Sequence, residues 1–69
     1  MTIQVNDVCR IVRQPSNQIV KLVGEVGFIE EILDDWANIQ TLKLDGSIAG
    51  VGSVPLSCLE KETDPRWLK

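Results

Sequence analysis

Apolar and polar residues follow one another in short runs along this chain, and the spacing typical of a helix is hard to find. Runs rich in β-branched and aromatic residues, bounded by turn signals, are typical of β-strands. The predicted strands cover residues 5–13, 19–32, 36–44 and 47–54, and residues 55–60 are predicted to form one 3₁₀ turn and a very short fifth strand. The pattern therefore predicts an all-β protein.

Turn signals separate these runs. Residues 14–18 have the composition of a loop, and residues 33–35 predict a turn. Asp45-Gly46 predicts a tight hairpin with a type I′ turn, in which both central residues have positive φ. Five short strands with short connections favour a small antiparallel barrel.

Two glycines three positions apart, Gly24 and Gly27, interrupt the second predicted strand. Glycine inside a strand marks a bulge, a bend or the close approach of another backbone. We interpret the pair as the bend that lets the longest strand change direction, with a bulge that turns both Val26 and Ile29 inward. A plain loop around the two glycines is the alternative.

A second pair, Gly50 and Gly52, lies in the fourth predicted strand. These glycines are expected either to bend that strand or to make room for Trp36 or Phe28 to lie across it. We expect Phe28 to belong to the core, with an outward position, given by regular alternation after Gly27, as the alternative. Trp36 is interpreted first as a lid over the core, because the core has few aromatic residues, and otherwise as a binding anchor.

The size of the chain allows one domain. Its 69 residues are near the lower limit for independent folding, and we expect a domain at 1–60 and a charged tail at 61–69, broken by Pro65. The hydrophobic fraction of 43% is mostly aliphatic and predicts a packed core. Cys9 and Cys58 lack CxxC spacing, and we expect both to be small buried apolar residues.

Charge and hydropathy limit the partners and the compartment. Ten acidic and seven scattered basic residues give a net charge of −3, which argues against nucleic-acid binding. The sequence shows neither a secretory leader nor an apolar run long enough to span a membrane. We therefore expect a cytoplasmic protein that reaches a membrane only through a partner.

The chemistry needed for catalysis is missing from the sequence. There is no His, no phosphate-binding glycine motif and no base that could activate a serine. We expect no enzyme activity, no cofactor and no metal site. The acidic pairs Glu30-Glu31 and Asp34-Asp35 are interpreted as a solvated strand end rather than a cation site, because their spacing matches no EF-hand loop.

The C-terminal tail contains the most suggestive residue, Trp67, because chain ends usually carry polar residues. One interpretation folds Trp67 back onto the barrel wall. The other makes Trp67 and Leu68, with Arg66 beside them, an anchor for a partner, since Trp and Arg are favoured at binding hot spots. The candidate partner-binding residues are Trp36, Arg66, Trp67 and Leu68.

The order of these parts resembles an SH3-like barrel. Residues 44–47 resemble its distal hairpin, and residues 52–60 resemble the G-x-x-P-S-x-x-V stretch that ends signalling SH3 domains. Residues 23–29 are similar to the glycine-centred core of KOW modules. The resemblance implies a five-stranded antiparallel SH3-like barrel with a short 3₁₀ turn before the last strand.

Two departures bear on function. The chain has no Tyr, so the resemblance does not extend to the aromatic groove with which signalling SH3 domains hold proline-rich peptides. The acidic residues of 30–35 flank the strand end that a KOW module would use on RNA, which counts against phosphate binding.

A third resemblance rests on the pattern V-x-R-I-V-x-x-P…V-x-x-V-G-E-V-G-x-I-E-x-I, which begins at Val8 and ends at Ile32. With the small size and acidic balance, it resembles SH3-like accessory subunits of cyanobacterial photosynthetic complexes. These include the regulatory subunit of the cytochrome bf complex and the ferredoxin-side subunit of the NDH-type complex. The negative charge of this chain does not suit the ferredoxin-docking role of the latter.

These observations predict a non-catalytic protein-binding or regulatory module, a small accessory subunit of a larger protein complex, and the third resemblance implies that this complex is photosynthetic. The alternative is a KOW-like RNA-associated module. A third alternative is a small ligand-binding or metal-binding barrel.

Overall fold

The computed structural model describes residues 2–68, and in it five antiparallel strands form one open sheet. The elements are β1 Val8–Ile11, β2 Val26–Leu33, β3 Trp36–Leu42, β4 Ile48–Pro55, a 3₁₀ turn at Leu56–Cys58 and β5 Leu59–Lys61. The strand order is β4-β3-β2-β1-β5. The prediction of an all-β protein with a 3₁₀ turn before a short last strand is confirmed, and β5 ends at the first residue of the expected tail. Within residues 2–68, no helix has the length and apolar character needed to cross a membrane.

The second strand begins seven residues later than predicted, so the strand prediction is wrong for residues 19–25. Gly24 has a φ of 93°, its N–H donates to the Ile11 carbonyl, and the Glu25 N–H donates to the Leu22 carbonyl. A positive φ turns the chain out of extended geometry, and glycine adopts it without steric cost. The loop alternative therefore applies to Gly24.

Gly27 lies inside β2, where two backbones come close together. A Cβ at this position would lie 2.6 Å from the carbonyl oxygen of Gln40 on β3. The predicted bulge lies instead after Ile29, where the register with β3 shifts before Glu31. Val26 and Ile29 are both buried, as predicted. Gly27 is therefore needed for strand contact rather than for a bend.

Gly50 and Gly52 do not make room for an aromatic ring, so that prediction is wrong. The nearest side-chain atom to a Cβ at Gly50 would be the Thr41 hydroxyl at 3.4 Å, and nothing lies within 4 Å of one at Gly52. A register shift between β3 and β4 occurs after Thr41, next to Gly50, which fits the bend alternative at that glycine.

The hairpin between β3 and β4 lies where the sequence predicts it, but the predicted turn type is wrong. Among residues 2–68 the structure gives a positive φ to Gly46, at 91°, and not to Asp45. The Gly46 N–H donates to the Lys43 carbonyl and the Lys43 N–H donates to the Ser47 carbonyl. This pattern is typical of a type I turn followed by a glycine bulge.

The first strand is shorter than the predicted residues 5–13. Asn6 has a φ of 76°, and the Asp7 N–H donates to the Gln4 carbonyl, so the chain turns just before β1. The Asn6 N–H then donates to the Ile29 carbonyl of β2. The turn places the N-terminal segment against the sheet.

Aliphatic residues from all five strands form the core. It contains Cys9, Ile11, Ile29, Ala37, Ile39, Val54 and Leu59. Both cysteines are buried and free, as predicted. Phe28 is half-buried and outside this cluster, so its assignment to the core is wrong. Regular alternation after Gly27 turns Phe28 to the other face, next to Gln40.

Candidate protein-binding surfaces

Trp36 is the first residue of β3 and lies between two cross-strand neighbours. Leu33 on β2 and Pro55 on β4 pair directly with it. Directly paired side chains lie on the same face, about 5 Å apart at Cβ. We call Leu33, Trp36 and Pro55 the tryptophan patch.

The tryptophan patch is open to solvent. Leu33 is 58% exposed and Trp36 is 40% exposed, and Trp36 is outside the buried core. The prediction that Trp36 forms a lid over the core is therefore wrong. The other interpretation, a binding anchor, stays a prediction.

An acidic turn borders the tryptophan patch. Asp34 and Asp35 are both exposed and connect β2 to β3, with Asp34 at a φ of 55°. The Leu56 N–H donates to the Asp35 carbonyl at 2.8 Å, which fixes the turn against the 3₁₀ segment. The surface is therefore apolar at its centre and negative on one side.

The other acidic pair is engaged along the strands. Asn38 donates to Glu31 at 2.9 Å and Gln40 donates to Glu30 at 3.2 Å. Within residues 2–68, no three groups of the types His, Cys, Asp or Glu are arranged to hold a metal ion.

The other three candidate residues lie in a turn of the C-terminal tail. The Trp67 N–H donates to the Asp64 carbonyl, and Leu68 is exposed. The Arg66 guanidinium donates to the Asp64 carboxylate through Nε at 3.0 Å and Nη2 at 2.7 Å. Hydrogen bonds from the Arg66 side chain and backbone lower the pKa of Asp64 to about 2.

Trp67 lies beside the β3–β4 hairpin. It is half-buried and lines a pocket of about 210 Å³ with residues 42–46. This placement favours the interpretation in which Trp67 folds back onto the sheet.

Glu62 holds the start of the tail onto the sheet, and the sequence pattern gave no sign of it. Its side chain is 6% exposed; Oε2 accepts from Arg10 Nε at 2.7 Å and lies 2.7 Å from Nη2. Oε1 accepts from the backbone N–H groups of Thr63 and Asp64. Burial alone would raise the pKa of Glu62, but the hydrogen bonds and charge of these partners outweigh it and lower the pKa.

The structure does not bring the four candidate residues together. Trp36 begins β3, whereas Trp67 lies beside the hairpin that follows the last residue of β3. A seven-residue strand is roughly 20 Å long, since each residue advances about 3.3 Å. The candidates therefore form two surfaces at opposite ends of β3.

Cys9 is unsuited to nucleophilic chemistry. Burial raises the pKa of its thiol to about 11, and the nearby Asp7 carboxylate adds to the increase. The thiolate is the reactive and metal-binding form, so Cys9 is inert at neutral pH.

Comparison with known proteins gives no relative. No protein-family model matches the chain, and no curated protein or solved structure matches it either.

Proposed function

We propose that this protein is a non-catalytic protein-binding module whose partner docks on the tryptophan patch. The observation that carries the proposal is the joint exposure of Leu33 and Trp36 beside an acidic turn. Tryptophan is enriched at binding hot spots, and an apolar centre with a charged rim is the usual anatomy of an interface. The partner surface would carry an apolar pocket next to basic side chains.

The fold we propose is an SH3-like barrel. In a flat sheet, β4 and β5 would lie about 19 Å apart, because adjacent strands are about 4.8 Å apart. Yet only the three residues Leu56–Cys58 join these two edges, at about 2 Å per residue in a 3₁₀ turn. The short link and the shared core support a sheet that curls until its edges approach each other.

The biological setting we propose is a larger protein complex, in which the chain is a small accessory subunit. The resemblance to SH3-like subunits of cyanobacterial photosynthetic complexes makes a photosynthetic assembly the first place to look. A sheet of this size with one exposed aromatic patch has the features of a part that docks on a larger surface.

Affinity capture from the native cells tests the proposal. The tagged wild-type chain should retain a defined protein that Trp36→Ser and Leu33→Ser lose. Val12→Ser is the matched control, because Val12 is exposed to a similar extent, 41% against 40% for Trp36, and lies outside the patch. Capture that is equal for all four chains would reject the patch as the docking site.

The alternative, a KOW-like RNA-associated module, is less favoured because three basic side chains are paired with carboxylates. Arg10 contacts Glu62, Lys61 contacts Asp7 at 3.4 Å and Arg66 contacts Asp64. Phosphate binding would have to compete with these pairs. RNA binding that weakens steeply with salt would restore this alternative.

A further inference from the structure

A cleft of about 290 Å³ lies between β4 and the loop of residues 18–22. Apolar side chains from both sides line it, among them Val20 and Leu22 on the loop and Ile39 and Val54 on the sheet. None of the three residues of the tryptophan patch lines the cleft.

Two glycines leave the cleft open. Gly50 and Gly52 pair with the buried residues Thr41 and Ile39, so they occupy positions of β4 that face the core. A Cβ at Gly52 would meet nothing within 4 Å, and the backbone there has no positive φ. Neither conformation nor contact within the chain requires glycine at position 52. Its effect is to leave a hole where a strand would normally place a side chain.

An exposed isoleucine lies beside this hole. Ile19 is fully exposed, while its neighbours Gln18 and Val20 line the cleft. The side-chain amides of Asn17 and Gln18 both donate to the Ser53 carbonyl at 3.2 Å, which holds the loop against β4. An exposed apolar side chain therefore lies next in sequence to two residues that line the apolar hole.

This face carries few charges in an acidic protein. Residues 14–20 and 46–59 contain no ionisable side chain except the buried Cys58, although the chain carries a net charge of −3. Two charged residues lie at the cleft, Lys21 on the loop and Glu25 in the lining; both are exposed, and their charges are opposite in sign. Two copies can approach through such a face without the like-charge repulsion that acts elsewhere on the molecule.

We propose that the occupant of the cleft is a second copy of this chain, with Ile19 of each copy seated in the Gly50–Gly52 cleft of the other. A two-fold interface uses the same patch on both subunits, so a knob beside its own complementary hole is self-complementary. This self-association does not depend on the partner-binding function of the tryptophan patch.

Sedimentation velocity on the full chain, from about 10 µM to about 1 mM, tests the proposal. The wild type should shift from monomer to dimer over this range. Gly52→Val fills the hole and should weaken the dimer at least about tenfold. The melting temperature of the Gly52→Val monomer should stay the same or rise, because the change also restricts the unfolded chain. A variant that no longer forms the dimer but keeps its melting temperature has lost docking and has not unfolded.

Ile19→Ser provides a second variant, since a fully exposed residue can be changed without cost to the core. It should also weaken the dimer, whereas Val23→Ser, on the same loop but outside the cleft lining, should not. Trp36→Ser should leave the dimer intact. A wild type that stays monomeric throughout, or a dimer that survives both Gly52→Val and Ile19→Ser, overturns the proposal. A monomer whose cleft methyl resonances shift on addition of a short aliphatic peptide would assign the cleft to a foreign segment instead.

Discussion

At the scale of single residues, two glycines that both pair with β3 are under opposite constraints. Gly27 pairs with Thr41, and the Gln40 carbonyl occupies the space that its Cβ would need. Gly52 pairs with Ile39, and the corresponding space is empty. Both positions hold glycine, but the packing of the sheet requires it only at position 27.

Gly27→Ala should therefore destabilise the protein, because β2 and β3 would have to move apart to relieve a 2.6 Å contact with backbone. We expect a loss of about 1–3 kcal/mol in the free energy of unfolding, the usual range for overpacking. Gly52→Ala is the matched control and should be neutral or stabilising by about 0.4–1 kcal/mol. Urea unfolding curves measure the free energy of unfolding of both variants. Equal effects of the two substitutions would contradict the close approach of Gly27 to the Gln40 carbonyl.

Glu62 is a buried residue whose charge contributes to stability. Its pKa is lowered in the folded state, so it contributes stability above the pKa of the unfolded chain, near 4.5. That contribution is lost as the pH falls through the folded-state pKa. Glu62→Gln should cost about 1–2 kcal/mol at pH 7, through loss of charge-assisted hydrogen bonds, and should flatten the stability profile below pH 4.5. Glu60→Gln, an exposed change on β5, should keep the wild-type slope.

Among the secondary-structure elements, the observed fold differs from the pattern-based prediction mainly at turns and loops. Turn signals at 33–35 and 45–46 bound the runs at 36–44 and 47–54, and β3 and β4 lie there within two residues. The run at 19–25 is as rich in Val and Ile as a strand, but Gly24 turns the chain and Ile19 is fully exposed. Composition cannot distinguish an exposed apolar loop from a strand, because the difference depends on contacts with distant residues.

The candidate site could also be predicted only in part, because it depends on contacts between residues far apart in sequence. Trp36 was found from residue type and from the acidic turn before it, but its neighbour Pro55 is 19 positions away and depends on the β3–β4 register. Glu62 looked like one charge among several in the tail, because only the fold places Arg10 beside it. The turn type at Asp45-Gly46 was missed because the same two residues also fit a glycine bulge.

In the C-terminal tail, Trp67 is half-buried and lies beside the β3–β4 hairpin. Trp67→Ala should lower the free energy of unfolding by about 1 kcal/mol, the value expected for a side chain that is partly removed from water. Leu68→Ala, at a residue that is 48% exposed, should change it by less than about 0.5 kcal/mol. If chemical denaturation shows that both substitutions leave the free energy of unfolding unchanged, Trp67 does not pack on the hairpin.

At the scale of the whole molecule, the charges favour a basic partner at the tryptophan patch. The acidic turn at Asp34 and Asp35 adjoins the patch, and the net charge is −3. Electrostatic attraction between exposed groups acts mainly on the rate of association and is screened by salt.

Replacing Asp34 and Asp35 together by Asn should slow association with the captured partner a few-fold and reduce its salt dependence. Asn tolerates the positive φ of position 34, so the turn should be kept. Surface plasmon resonance at two salt concentrations measures the rates. An unchanged association rate would mean that the acidic turn does not face the partner.

A photo-crosslinking amino acid placed at position 33 in the native cells tests whether a protein partner docks on the surface formed by Leu33, Trp36 and Pro55, with the same group at position 12 as the control. We expect one defined protein adduct at position 33 that is absent at position 12. No adduct at position 33, or the same adducts at both positions, would show that no partner docks on the tryptophan patch.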